Sequence, residues 1–244
     1  RVVITRPREQ SEAMRSALME QGACVLMLPM IRVEPPADSA PLREAISKLD
    51  SFDWVVFSST NSVDGFFNAL TEAGGDARRL ASCRIAAVGP ATVSRLRERA
   101  IEPDLMPKRF CSEALASELG ETHIGERVLR PCSNLAPEDL KEDLEQDGFV
   151  VERVEAYRVV SEKMPDPPWE ELPHVITFAS PSAVTSFVDQ LSTEHVEEVR
   201  EASLFASIGP ATTRRMKELG LPVQIEAVEH TGEGLVRAVV EYSE

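Results

Sequence analysis

Aromatic residues are scarce in this 244-residue chain: they make up 5% of it, with two tyrosines and two tryptophans. The core must therefore be mainly aliphatic, and each tyrosine is conspicuous. Cysteine is nearly as sparse. Cys24, Cys83, Cys111 and Cys132 share no C-x-x-C spacing, which argues against a zinc ribbon or a disulfide scaffold and suggests buried free thiols in a reducing compartment. No apolar run is long enough to cross a membrane. The opening "RVVITRPREQ" reads as a strand entering a polar turn rather than a signal peptide, so a cytoplasmic protein is expected. Positive charge is in deficit, 26 Lys and Arg against 41 Asp and Glu for a net −15. With no clustered basic face, nucleic acid is not expected as a partner. The acids are spread over stretches such as "APEDLKEDLEQDG" as a solvated surface.

The usual cofactor signatures are also missing. There is no G-x-x-x-x-G-K-[ST], no G-x-G-x-x-G and no G-x-S-x-G. His123, His174, His195 and His230 lie outside any metal-like spacing, so neither metal nor organic cofactor is expected.

What is present is a rhythm. Short β-branched or apolar runs at 2–5, 24–28, 54–57, 84–88, 127–130, 149–153, 174–178, 203–208 and 223–226 alternate with amphipathic stretches of helical period. That is the pattern of β-α units around parallel sheets. The chain also repeats itself. "VVITRPREQSEAMRSALMEQGACV" is echoed by "RVLRPCSNLAPEDLKEDLEQDGFV", "DWVVFSSTNSVDGFF" by "HVITFASPSAVTSFV", and "AAVGPAT" by "SIGPAT". Three matched pairs in one order indicate a duplicated α/β unit. Two extended, proline-ended stretches, 29–37 and 154–168, break the rhythm and suit crossings between lobes. If both cross, one domain combines 1–28 with 169–244 and the other is 38–153. A single cut near 123 is the simpler alternative.

The candidate site residues lie where strands run into helices. Ser59, Thr60, Ser180 and Ser182 stand where N-caps belong, Asn61 follows in "S-x-N-x-V", and Gly89 and Gly209 allow tight exits before Pro90 and Pro210. Plain capping accounts for each one separately. Their repetition at corresponding sheet edges suggests ligand binding, because the carboxyl edge of a parallel sheet offers helix N-termini to anions. Arg6 and Arg130, at matching strand exits, are candidate cations there. Tyr157 falls in the second crossing.

In their order, "VVITRP", "DWVVFSSTNSV", "AAVGPAT", "VEAYRV", "VITFASPSAV", "SIGPAT" and "HTGEGLVRAVVE" resemble the uroporphyrinogen-III synthase family over essentially the whole chain. The resemblance implies two similar parallel-sheet α/β domains of flavodoxin-like topology, joined by a two-stranded β-ladder, with the active site in the cleft between them. It also implies a cofactor-free cyclisation of the polycarboxylate hydroxymethylbilane, with loss of water and inversion of ring D. By motif match, Tyr157 is the candidate proton donor or hydroxyl binder, and Thr212 takes the place of the family's functional threonine. The substrate contacts expected are Arg6, Ser59, Asn61, Gly89, Arg130, Ser180, Ser182 and Gly209. Two lobes in one chain make a monomer sufficient, and contact with the preceding pathway enzyme is expected to be transient. The competing reading is a two-lobed cytoplasmic protein that binds or senses an anionic ligand without catalysis.

Overall fold

The computed structural model describes residues 1–109, 112–120, 125–165 and 169–243, with the backbone alone of Ser112. Cys111, His123 and the proline-rich end of the second crossing at 166–168 lie outside the described residues. The strands are β1 (Val2–Ile4), β2 (Val25–Met27), β3 (Ile31–Glu34), β4 (Trp54–Phe57), β5 (Arg84–Ala87), β6 (Arg127–Ser133), β7 (Val150–Ser161), β8 (Val175–Phe178), β9 (Leu204–Ser207) and β10 (Ile225–Glu226). The helices are α1 (Glu12–Glu20), α2 (Ala40–Ser47), α3 (Thr60–Glu72), α4 (Pro90–Arg97), α5 (Ser112–Leu119), α6 (Asp139–Gln146), α7 (Pro181–Gln190), α8 (Thr193–Ala202), α9 (Pro210–Glu218) and α10 (Gly232–Ser243). The α/β class read from the alternation is the class observed.

The chain divides into two compact units, Arg1–Arg32 with Val160–Glu244, and Val33–Val159. Unit 1 holds a sheet ordered β10-β9-β8-β1-β2; the second sheet is ordered β3-β7-β6-β4-β5. Every ladder in the first sheet is parallel, with Val2 facing both Val25 and Val175. In the second, Trp54 of β4 likewise faces Arg84 and Val128 in parallel. β3 and β7, the strands that run from one unit into the other, are neighbours in that sheet.

The central strands are buried on both faces, as parallel strands covered by helices must be. All four residues of β4 and all four of β8 are buried. Period-two alternation divides β4 between two cores: Val55 and Phe57 join Leu42, Phe66 and Leu70, whereas Trp54 and Val56 join Leu115 and Leu144. In unit 1, Phe178 packs edge-on against Phe187 at 5.2 Å and stacks with Phe205 at 6.4 Å.

Three sequence expectations need correcting. β6 does not stop at 130 but continues through Pro131 to Ser133. Its ladder to β4 ends at Leu129 while its ladder to β7 goes on, so Pro131 sits where only one neighbour is paired and the imide nitrogen is tolerated. The run 149–153 and the start of the second crossing form one twelve-residue strand, β7. Cys24 is exposed rather than buried, unlike Cys132.

Candidate active site

In an open parallel sheet, ligands bind beyond the strand ends at the point where the strand order reverses. In unit 2 that point lies between β4 and β6, and in unit 1 between β1 and β8.

At the unit 2 switch point the chain leaves β4 and turns into α3 at Ser59. Ser59 is the N-cap: its Oγ accepts from the Ser62 N–H at 3.1 Å, and the Ser59 N–H donates back to Ser62 Oγ at 3.3 Å, closing a capping box. Thr60 is therefore the first helical residue and not a cap, and Asn61 follows it half-buried in the same turn. Ser62, at N3, completes the box. Tyr157 reaches this cap from β7, its hydroxyl 3.1 Å from Ser59 Oγ, and Ser133 is its partner in the ladder to β6. Burial pushes the phenol's pKa above its usual value of 10, and the two serine hydroxyls offset this only in part. Tyr157 is consequently a protonated donor at neutral pH. Gly89 caps α4 in extended backbone, with Thr92 buried behind it.

At the unit 1 switch point Arg6 follows β1. Its guanidinium is largely desolvated, which lowers its pKa, and among the described residues no hydrogen-bond or ion-pair partner reaches it. Its Nη1 lies 3.0 Å from where a Cβ on Gly232 would stand, at the start of α10. Ser180 caps α7, accepting from the Ala183 N–H at 3.2 Å and lying 3.1 Å from the Ser182 hydroxyl. Ser182 is itself inside the helix, so only one of the two expected caps is a cap. Gly209 caps α9, and a Cβ there would stand 2.8 Å from the His230 ring. The absence of a side chain is what lets the imidazole lie against this turn. Thr212, in the first turn of α9, is 2% exposed, and its counterpart Thr92 is 4% exposed. Burial alone does not tell the two apart.

Arg130 is displaced from its expected place. Because β6 runs on to Ser133, Arg130 is a mid-strand residue, 2% exposed, donating from Nη1 to the Pro137 carbonyl at 3.0 Å. Next to it, Arg153 donates to the carbonyls of Ser133 and Ala136 and pairs with Glu138. The two guanidiniums fasten the loop that leads into α6. Sequence reasoning missed Ser133, which carried no motif, and His230, which was judged only as a metal ligand. The signal for His230 was its place in "HTGEG", just before a helix whose N-terminal turn is capped by the Thr231 hydroxyl.

This is the construction of a doubly wound α/β protein whose helix N-termini gather at the switch points of its sheets, where ligands of such folds bind. Comparison with known proteins narrows the class. A family model described as uroporphyrinogen-III synthase HemD matches residues 12–237, and the chain belongs to that family, the cyclising lyases of tetrapyrrole biosynthesis. The uroporphyrinogen-III synthase of Synechococcus elongatus is 29% identical over 252 residues, which cover 99% of this chain and 95% of that protein. The chloroplastic uroporphyrinogen-III synthase of Oryza sativa subsp. japonica is 30% identical over 231 residues, covering 90% and 73%. Among solved structures, a mutant uroporphyrinogen III synthase from Thermus thermophilus has a TM-score of 0.72 at 15% identity, covering 100% of this chain and 99% of that one. The Helicobacter pylori uroporphyrinogen-III synthetase has a TM-score of 0.61 at 15% identity, covering 99% and 98%. At such identities the solved structures speak for the fold. No helix among the described residues is long and apolar enough to cross a membrane.

Proposed function

We propose that the chain closes hydroxymethylbilane to uroporphyrinogen III with Tyr157 as the proton donor to the departing hydroxyl and with Arg6 and the helix N-termini as carboxylate binders. The observation that carries this reading is the Tyr157 hydroxyl, desolvated and held 3.1 Å from the N-cap Ser59 at a sheet switch point.

Protonation of the hydroxymethyl oxygen releases water and leaves an electrophilic azafulvene, its charge shared with the pyrrole nitrogen. Attack by the substituted α-carbon of ring D gives a spiro intermediate. Its fragmentation and reclosure invert the ring, and loss of a proton restores the pyrrole. Closure without the enzyme gives the non-inverted isomer, so the protein acts chiefly by holding one folded conformation of a flexible substrate. Ser180, Ser182, Gly89 and Gly209, at the starts of their helices, support carboxylate binding by helix N-termini, and Asn61 is assigned to the site by its place in the first turn of α3. Thr212 is assigned to the site by its motif. Arg130 acts behind the surface, as a support of the loop before α6. The same reading carries a cytoplasmic monomer whose contact with the enzyme supplying its unstable substrate is transient. Family membership disfavours the non-catalytic binding protein.

The test is to supply fresh hydroxymethylbilane and separate the oxidised products by isomer. Wild-type protein is expected to give the type III isomer, and Tyr157→Phe to lower turnover on the order of 10²-fold with a larger share of type I. Full activity and full type III selectivity in Tyr157→Phe would remove the donor assignment.

A further inference from the structure

Successive side chains of a strand point to opposite faces. β7 departs from this rule beside the candidate site. Cys132 of β6 pairs with Glu155, but Ser133 pairs with Tyr157, so that Ala156 is an extra residue in the ladder. Val154, Ala156 and Tyr157 all pack against the same core as a result. In an unbroken ladder Tyr157 would face the other way. Bulges of this kind re-aim side chains at active sites.

The bulge is met from outside by α3. A Cβ on Gly65 would stand 2.2 Å from the Ala156 carbonyl oxygen and 2.9 Å from its carbonyl carbon. No other residue lets the helix come this close. Glycine is a poor helix former, and its place in the middle of α3 is explained by this contact. The same helix carries Ser59 at its N-cap, hydrogen-bonded to the Tyr157 hydroxyl. α3 thus holds the bulge residue at one point and its neighbour's hydroxyl at another, roughly 9 Å apart along the helix axis.

We propose that Gly65 and Ser133 are positioning residues for the reaction: Gly65 seats the Ala156 bulge, and the seated bulge, with Ser133 opposite, holds the Tyr157 hydroxyl on Ser59. The inference rests on the reading of Tyr157 as proton donor.

The test uses the full chain carrying Tyr242→Phe, an exposed position on α10, so that Tyr157 is the one remaining tyrosine. Gly65→Ala is expected to lower kcat about tenfold with KM within about twofold, and to raise the type I share. Its phenol, driven from its seat into water, should titrate by tyrosinate absorbance below the parent and toward about 10. Ser133→Ala removes from Tyr157's ladder partner the hydroxyl that favours the phenolate, so the phenol should titrate above the parent, with kcat down about threefold. With Tyr157→Phe added, Gly65→Ala should cost less than about twofold, since nothing remains to be positioned. A folded Gly65→Ala protein with parental kcat and parental titration would overturn the proposal, and so would a Gly65→Ala effect undiminished by Tyr157→Phe. If Gly65→Ala does not fold, Ser133→Ala decides, with unchanged kcat and titration counting against the proposal. A parent that makes only type I product sinks the synthase reading instead. The phenol titration needs no turnover and still tests the seat.

Discussion

Arg6 and Arg130 occupy the same place in the repeated "VVITRP" and "RVLRPC", yet their guanidiniums meet different surroundings. β1 ends two residues before Arg6, and the side chain emerges without a partner among the described residues. β6 instead runs on beside the long β7 and carries Arg130 indoors, where a carbonyl is its hydrogen-bond partner. A desolvated cation without a nearby carboxylate is costly unless a ligand supplies one. In the proposed function the substrate's carboxylates do this for Arg6, whereas Arg130 is 2% exposed and already donates to a carbonyl. Arg6→Ala is accordingly expected to raise KM about tenfold, the equivalent of one charge-assisted hydrogen bond, with kcat little changed. Arg130→Met should leave KM as it is and alter unfolding stability by no more than about 1–2 kcal/mol, because the loss of one hydrogen bond is offset by relief of a buried charge. Steady-state kinetics and urea unfolding of the two variants check both statements. The sequence could not separate these residues, because what distinguishes them is the length of a neighbouring strand.

Where a helix begins decides more at this site than which residue follows. Ser59 and Ser180 are both N-caps and each accepts one backbone N–H, but only Ser59 also meets a phenol. Ser59→Ala and Ser180→Ala should each lower stability by about 1 kcal/mol, measured by urea unfolding. Ser59→Ala should in addition lower the type III yield beyond any loss seen for Ser180→Ala, and equal losses in the two variants would contradict a special role for Ser59. Strand and helix positions were legible in the sequence because hydrophobic period reports burial, and burial is what β4 and β8 share. The caps were legible because hydroxyls before apolar runs satisfy orphan N–H groups. The bulge at Ala156 was not legible. It depends on a register between β6 and β7 and on the closeness of Gly65, and no local pattern records either.

At the scale of the molecule, the duplication and the units do not coincide. By the sequence repeat β1 corresponds to β6, β4 to β8 and β5 to β9. The observed sheets are β10-β9-β8-β1-β2 and β3-β7-β6-β4-β5, with Leu105 bridging to Ala86 beyond β5. Replacing each strand by its counterpart turns β9-β8-β1 into β5-β4-β6, and Leu105 falls where β10 stands in the other sheet. Each unit therefore takes the opening of one copy and the close of the other. The repeat was readable from residues; how the copies are shared between the sheets required strand order, which follows from long-range pairing. The sharing bears on which pieces can fold. A fragment of residues 1–120 holds one whole copy, but it has β1 without β8 and β4 without β6, so both central ladders are missing. It should be unfolded by circular dichroism and hydrogen exchange. Residues 33–159 contain β4 with β5, β6 and most of β7, and the hydrophobic clusters built around Val55 and around Trp54. This contiguous piece should unfold cooperatively in urea and keep Tyr157 titrating above a free tyrosine. A folded 1–120 fragment beside an unfolded 33–159 fragment would mean that the repeat, and not the sheet, is the unit of folding.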